Sequence, residues 1–256
     1  MKKLRITFVF VFLVSSFLHA QVSDVFDFLK AIPGAKVVRK DTTSYKEFYI
    51  LMLPQPVDHN NPAGAKFLQR IYVGYMGKTN PTVIVTEGYG AEYVGPTSAT
   101  EPTRLLNANQ LYVEHRYFGI STPALVDWKY MTAEQDAGDY HAIHQLFGQL
   151  FTGKWISTGV SKGGQTAVEY KVFYPEDVDV SIPYVAPLNY CLQDKRIDRH
   201  FKHVGTKEDR EKIKDLQLYL FKNKKKILPI YQSIAQKHGY VFDMMDIETA
   251  FDYSVL

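Results

Sequence analysis

Ser161 lies between two glycines in the stretch Trp155-Ile156-Ser157-Thr158-Gly159-Val160-Ser161-Lys162-Gly163-Gly164. Gly-x-Ser-x-Gly is the spacing of a nucleophile elbow, in which a serine is carried on a sharp turn between a buried strand and a helix. Glycine is required on either side because a Cβ there would collide with the tight turn and the neighbouring strand. The pattern alone is weak, since composition supplies a chance match in roughly one chain in ten of this length. Its context strengthens it. The residues before it read as a short buried strand, and Ala167, Tyr170, Val172 and Phe173 after it carry helical spacing. The competing reading is an ordinary glycine-rich turn between a strand and a helix.

A serine hydroxyl attacks a carbonyl only when a base takes its proton, an acid orients that base, and two backbone amides hold the developing oxyanion. The amide of Lys162, directly after the serine, is the expected first donor. The second is expected from the loop after an earlier strand, at Gly88 or Tyr89. The Lys162 side chain is given no part, because adjacent residues at an elbow point in different directions.

The elements that must position these groups are legible in the hydrophobic pattern. Val22 to Lys30 reads as a short amphipathic helix closed by Pro33-Gly34. Glu47 to Leu53 and Phe67 to Met76, rich in β-branched and aromatic residues, read as strands. Between them Asp58 and His59 fall in a proline- and asparagine-rich turn, where their side chains are expected to cap backbone groups. Thr82 to Thr86 and Gln110 to Val113 are near-continuous apolar runs of the kind found in central parallel strands. Thr132, with Gln135 three residues on, predicts a capping box opening a helix to about Phe151, its apolar face formed by Ala142, Leu146, Phe147 and Leu150. Val178 to Ala186 predicts a further buried strand. His141 and His144, near Asp139, lack the third ligand and open position of a metal site and are expected to be solvent-facing or core histidines.

Strands and helices thus alternate from about residue 80 to 187, which predicts a mostly parallel α/β sheet with its ligand site at the carboxyl ends of the strands. Glu87-Gly88-Tyr89, Glu114-His115-Arg116 and Ser161 all fall at such ends. Beyond Leu188 the pattern turns helical. Lys207 to Lys222 reads as one helix, Pro229 as a break before a second over Tyr231 to Lys237, and Asp243 as the start of a third. The basic run Lys222-Asn223-Lys224-Lys225-Lys226 reads as a solvated helix end favoured by the macrodipole. The expected layout is a leader over 1–20, the first part of a core over 21–190 and the start of a helical cap over 191–256.

The leader is read from the basic start Met1-Lys2-Lys3-Leu4-Arg5, the short apolar run Ile6 to Val14 and the small residue Ala20, which together predict a secretory signal peptide cut after Ala20. The run is too short to span a bilayer comfortably, so no membrane anchor is expected after cleavage. Cleavage removes three basic residues and no acidic ones, taking the net charge from +3 to about zero. The chain therefore has no electrostatic case for nucleic acid. Cys191 is the only cysteine, so stability must come from an apolar core and not from an internal disulfide. No metal or organic cofactor is implied.

Several of these motifs together resemble a known family. Glu114-His115-Arg116-Tyr117-Phe118-Gly119-x-Ser121, Thr158-Gly159-Val160-Ser161-Lys162-Gly163-Gly164, Tyr174-Pro175 and Ala186-Pro187 resemble the prolyl tri/tetrapeptidyl aminopeptidases, secreted serine peptidases of the α/β-hydrolase fold. They are similar, more distantly, to the Pro-X carboxypeptidase and dipeptidyl peptidase group. The resemblance runs from about residue 40 onward. It implies an exported exopeptidase that releases short, often proline-terminated peptides from free amino termini, with peptide substrates and Ser161 as nucleophile. Glu87 or Glu114 is a candidate partner for the substrate's α-amino group; the alternative for either is an ion pair with Arg116 or Arg104.

The resemblance also exposes a gap. In this fold the acid and then the histidine follow the serine after later strands. Asp194, Asp198, His200, His203 and His238 come where a cap is expected, and none fits. A truncated copy of a longer enzyme, with its C-terminal strands missing, is the favoured expectation over an enzyme that draws a different base from the histidines present. Two further readings stay open: an esterase of the same fold, disfavoured because Glu87-Gly88-Tyr89-Gly90 is not a His-Gly-Gly loop, and an inactive hydrolase-fold binding protein or remnant.

Overall fold

The structure, a computed structural model, describes residues 25–191 and 193–256; the expected signal peptide lies outside the described residues. The chain divides into two compact units, one through Leu188 and one from Asn189 to Leu256.

The first unit is built on a seven-stranded sheet of order β1-β2-β3-β5-β4-β6-β7. The strands are β1 (Lys36–Lys40), β2 (Glu47–Pro56), β3 (Lys66–Tyr75), β4 (Thr82–Thr86), β5 (Asn109–Val113), β6 (Trp155–Val160) and β7 (Val180–Tyr184). β1, β2 and β3 run antiparallel to their neighbours, and β3 pairs antiparallel with β5. β5, β4, β6 and β7 are parallel. The chain leaves β4 for β5 on one side and returns to β6 on the other. The carboxyl end of β4 is therefore a topological switch point, where an open α/β sheet leaves a crevice.

Burial follows from that arrangement. All five residues of β4 are buried. Ile84 faces a large core with Leu51, Ile71, Leu111, Tyr140 and Phe147, while Val83 and Val85 face the other side with Ala108 and Ile156. Four helices flank the sheet: α1 (Val25–Ala31), α2 (Glu101–Leu106), α3 (Ala133–Phe147) and α4 (Lys162–Phe173).

Three expectations for this unit are corrected. α3 ends at Phe147 instead of about Phe151, and its buried stripe is Asp136, Asp139, Tyr140, Ile143 and Phe147, with Ala142 and Leu146 only half-buried. Its inner face begins with carboxylates because, as shown below, they are ligands for buried cations. The capping box is half-formed. Thr132 accepts from the Gln135 amide at 3.3 Å, but the Gln135 side chain accepts from His59 N at 2.7 Å and donates to Asp58 at 3.0 Å. β7, expected as a buried strand, leaves Val180 and Pro183 exposed because β6 is its only strand neighbour among the described residues.

The second unit is helical: α5 (Lys195–Phe201), α6 (Lys207–Lys222), α7 (Lys224–Lys237) and α8 (Ile247–Val255). α5, with Asp194 as its N-cap, had no sequence signal strong enough to single it out. Pro229 does not separate two helices. It lies inside α7, and the break comes at Asn223, which ends α6 and precedes α7. The lysine run is accordingly split. Lys222 sits at a helix C-terminus, as the macrodipole favours, but Lys224–Lys226 open a helix where positive charge is disfavoured. Lys224 is compensated by Glu248 at 3.0 Å and Asp252 at 2.7 Å on α8. α8 starts at Ile247, capped by Asp246, rather than at Asp243.

Candidate active site

Ser161 is exposed at the end of β6 and heads α4 with φ +56° and ψ −122°. A non-glycine residue in this region carries backbone strain of about 1–3 kcal/mol and persists only where its surroundings over-determine it. Those surroundings are visible. The Ser161 amide donates to Tyr184 O on β7 at 3.0 Å, and its carbonyl accepts from Gln165 N at 3.0 Å. Thr86 Oγ1, at the end of β4, donates to Gly163 O at 2.8 Å. A Cβ on Gly159 would lie 2.3 Å from Gly163 O, and one on Gly163 would lie 2.4 Å from Thr86 O. The glycines therefore serve the close approach of turn and strand that their spacing predicts.

Beside the serine is a cavity of about 490 Å³ lined by Glu87, Tyr89, Tyr93, Tyr112, Ser161 and Tyr184, among others. Glu87 stands at the end of β4 with its carboxylate held from three sides. Oε1 accepts from Gly88 N at 2.9 Å, and Oε2 accepts from Tyr93 at 2.6 Å and Tyr112 at 2.8 Å. Burial, with the bond to Glu87 added, pushes the Tyr93 phenol up to about 12 and the Tyr112 phenol higher still, so both remain donors throughout the physiological range.

Of the two residues expected to give the second oxyanion amide, Gly88 has its N–H turned onto the Glu87 side chain. The loop nonetheless touches the elbow closely, since a Cβ on Gly88 would lie 2.6 Å from Lys162 Cβ and 2.8 Å from Gly163 N. Tyr89 follows on the same loop, its carbonyl accepting from His115 N at 3.2 Å.

Glu114 does not face this cavity. It is fully buried and pairs with Arg70. Oε1 also accepts from Ala91 N at 2.9 Å, and Oε2 from Ser121 at 2.6 Å. Neither Arg116 nor Arg104 is its partner. Arg116 is itself fully buried in a bidentate pair with Asp139, with Nε and Nη2 at 2.8 and 2.7 Å, and its remaining N–H groups reach the carbonyls of Pro56, Val57 and Tyr130. Asp139 also receives the His59 ring at 2.7 Å. Asp58 caps the Asn60 amide as its turn predicts, whereas His59 reaches past the turn into this network. Glu114, Arg116 and Ser121 of the sequence motif thus brace the loop after β5.

His115 takes a different direction. Its Nδ1 lies 2.7 Å from Arg116 O, and its Nε2 lies 2.9 Å from Lys162 Nζ and 3.3 Å from Asp136 Oδ2. No spacing along the chain joins these three residues, and the Lys162 side chain, expected to take no part, is one of them. Nothing in the apolar spacing of α3 marks Asp136 as a ligand. His141 and His144 pack around Asp177, with His141 Nδ1 at 2.8 Å, and no cluster able to hold a metal occurs among the described residues.

Ser161 makes no side-chain hydrogen bond among the described residues, and no imidazole reaches it. The strand order, the strained serine turn at the end of β6 and the crevice beside it define an α/β-hydrolase fold. Residues 19–256 match the family described as PS-10 peptidase S37, and the chain belongs to that family. It is similar to the prolyl tri/tetrapeptidyl aminopeptidase of Streptomyces mobaraensis, 33% identical over 227 residues, covering 88% of this chain and 47% of the relative. The chain thus spans about half the length of that relative. Among solved structures it is similar to an acetyl xylan esterase from Paenibacillus sp. R4, with 13% identity, a TM-score of 0.44, and coverage of 73% of this chain and 63% of the other. It is also similar to dipeptidyl peptidase 4 of Porphyromonas gingivalis, with 10% identity, a TM-score of 0.40, and coverage of 59% and 28%.

Proposed function

We propose that this chain carries the nucleophile of an exported serine exopeptidase that releases short, often proline-terminated peptides from free amino termini. The observation that carries the reading is Ser161 in a strained, glycine-flanked elbow opening onto a cavity with a carboxylate at its wall. In this reading Ser161 Oγ attacks the scissile carbonyl. The Lys162 amide holds the oxyanion together with an amide of the facing loop, where Tyr89 is the better placed because the Gly88 N–H is occupied by Glu87.

Glu87 is the proposed partner of the substrate amine. It lines the cavity with Ser161, and its carboxylate is preoriented by two phenols. Glu114 is withdrawn from that role because its oxygens are consumed by Arg70, Ala91 and Ser121 in a fully buried position. The second unit, from Asn189, is the proposed start of the cap. Export rests on the basic, apolar and small-residue order of residues 1–20; no helix among the described residues is long and apolar enough to cross a membrane.

The test is reaction with a fluorophosphonate probe, using Ser161→Ala as the control. Labelling is expected in the parent chain, absent in Ser161→Ala, and slowed by a proline-terminated tripeptide with a free amine. Glu87→Gln is expected to remove most of that competition. Absence of Ser161-dependent labelling sinks the catalytic reading and favours an inactive hydrolase-fold binding protein. Competition by short acyl esters but not by peptides favours an esterase.

A further inference from the structure

Behind the nucleophile three ionisable side chains meet in a nearly closed space. Asp136 comes from α3, His115 from the loop after β5, and Lys162 from the first turn of α4, one residue past Ser161. The His115 and Asp136 side chains are 6% and 3% exposed, so their contacts are not diluted by water. Arg116 O can only accept, so His115 Nδ1 carries a proton whatever the charge of the ring. Everything variable then falls on Nε2, which has Lys162 Nζ at 2.9 Å and Asp136 Oδ2 at 3.3 Å. A neutral ring offers Nε2 as an acceptor to the lysine. A protonated ring must donate, and only the carboxylate can receive that proton while Lys162 is charged. The two bonds therefore exclude one another.

Lys162 is also the contact between the two sides of the oxyanion hole. Its Cβ lies against the Cα of Gly88, and its ammonium lies 5.7 Å from the Tyr89 ring and 5.9 Å from the Phe118 ring. Phe118 in turn stands edge-on to both His115 and Tyr89.

Building on the reading of Ser161 as nucleophile, we propose that His115 and Lys162 are positioning residues for the oxyanion hole, switched by a single proton: neutral His115 holds Lys162 and so fixes the facing loop, and protonated His115 turns to Asp136 and releases it. Asp136 also faces the Arg116 cation and the Tyr140 phenol, and burial raises that phenol well above its ordinary value. Burial lowers the proton affinity of His115, but the Asp136 charge and hydrogen bond more than offset it and leave the pKa raised. Lys162, facing Asp136, Glu169 and Glu87, is lowered, with burial the largest cause. Tyr89 and Phe118 add ring faces and no formal charge at neutral pH.

The experiment is nuclear magnetic resonance on the full chain with isotope-labelled histidine and backbone amides, titrated from about pH 5 to pH 9. His115 should keep Nδ1 protonated throughout and titrate at Nε2. The Lys162 and Tyr89 amide signals should move with the same midpoint. In Lys162→Met the Tyr89 signal should lose that dependence, and amide exchange at Gly88 and Tyr89 should rise tenfold or more. In Asp136→Asn the His115 midpoint should fall by about one pH unit or more. Amide signals that ignore the His115 titration in the parent chain overturn the proposal, and that arm needs no variant to fold. Tracking that survives in Lys162→Met overturns it as well. The readout does not use Ser161 reactivity: a chain that shows the coupling but no fluorophosphonate labelling keeps the switch and loses the peptidase reading, and the converse result separates them the other way.

Discussion

Arg116 illustrates how a residue that resembles part of a catalytic motif can be structural. All of its N–H groups are matched, two by Asp139 and the rest by three carbonyls, in a site closed to solvent. Removing one member of such a pair leaves the other charged, buried and undercompensated, at a cost of about 3–5 kcal/mol. Arg116→Met should therefore lower the urea midpoint by that equivalent, far beyond the effect of removing an exposed cation such as Lys195. His115 and Asp136 give a prediction in pH. The folded-state pKa of His115 is raised, so the stability gained from its pairing with Asp136 is fully present below the unfolded value of about 6.5 and lost as pH rises through the raised value. The stability difference between the parent chain and Asp136→Asn, measured by chemical denaturation, should shrink as pH is taken from about 6 to 9.

Among the elements, α7 contains the clearest local conflict. Pro229 lies six residues into a 14-residue helix, where it offers no N–H to Lys225 O and its ring crowds that carbonyl. Proline costs about 3 kcal/mol more than alanine inside an isolated helix, part of which is offset by its stiffening of the unfolded chain. Pro229→Ala should raise the stability of the second unit by about 1–3 kcal/mol and increase helical ellipticity. A decrease would mean that the packing of α7 requires the Pro229 ring. The conflict also explains why a break was expected there: proline is the stronger signal in sequence. Asn223, with only a side-chain bond to Tyr219 O at 2.8 Å to mark it, is the weaker signal but ends a helix whose backbone was already complete.

At the scale of the whole molecule, the two units differ sharply in what they bury. The first has a continuous core on both faces of the sheet, with β4 closed on all sides. In the second, Ala235 and Phe251 are the buried apolar residues among those described, while Ile213, Leu216, Tyr219, Ile230 and Ile234 remain exposed. Opening free energy scales with buried apolar contact, so the units should exchange amide hydrogens on separate timescales. Hydrogen exchange read by mass spectrometry should find β4, β5 and β6 slowest and α6, α7 and α8 faster by at least two orders of magnitude. Equal protection in both would show that the second unit is stabilised by apolar burial beyond that of Ala235 and Phe251.

The sequence by itself determined the parallel strands, their approximate bounds and the elbow. Those rest on local rules: apolar runs bury on both faces, and glycine alone tolerates the approach of Gly159 to Gly163 O. It also brought Glu87, the Glu114 motif and Ser161 to one end of the sheet, because in a parallel sheet all strand carboxyl ends share an edge. Only the tertiary structure decided which of them faces the cavity. Glu87 and Glu114 end adjacent parallel strands and look alike in sequence, yet one lies beside Ser161 and the other is enclosed by Arg70. The partners that sort them, Arg70 on β3, Tyr93 in a loop and Asp136 on α3, come from distant positions whose side-chain directions depend on twist and packing. No periodicity along the chain encodes a contact of that kind.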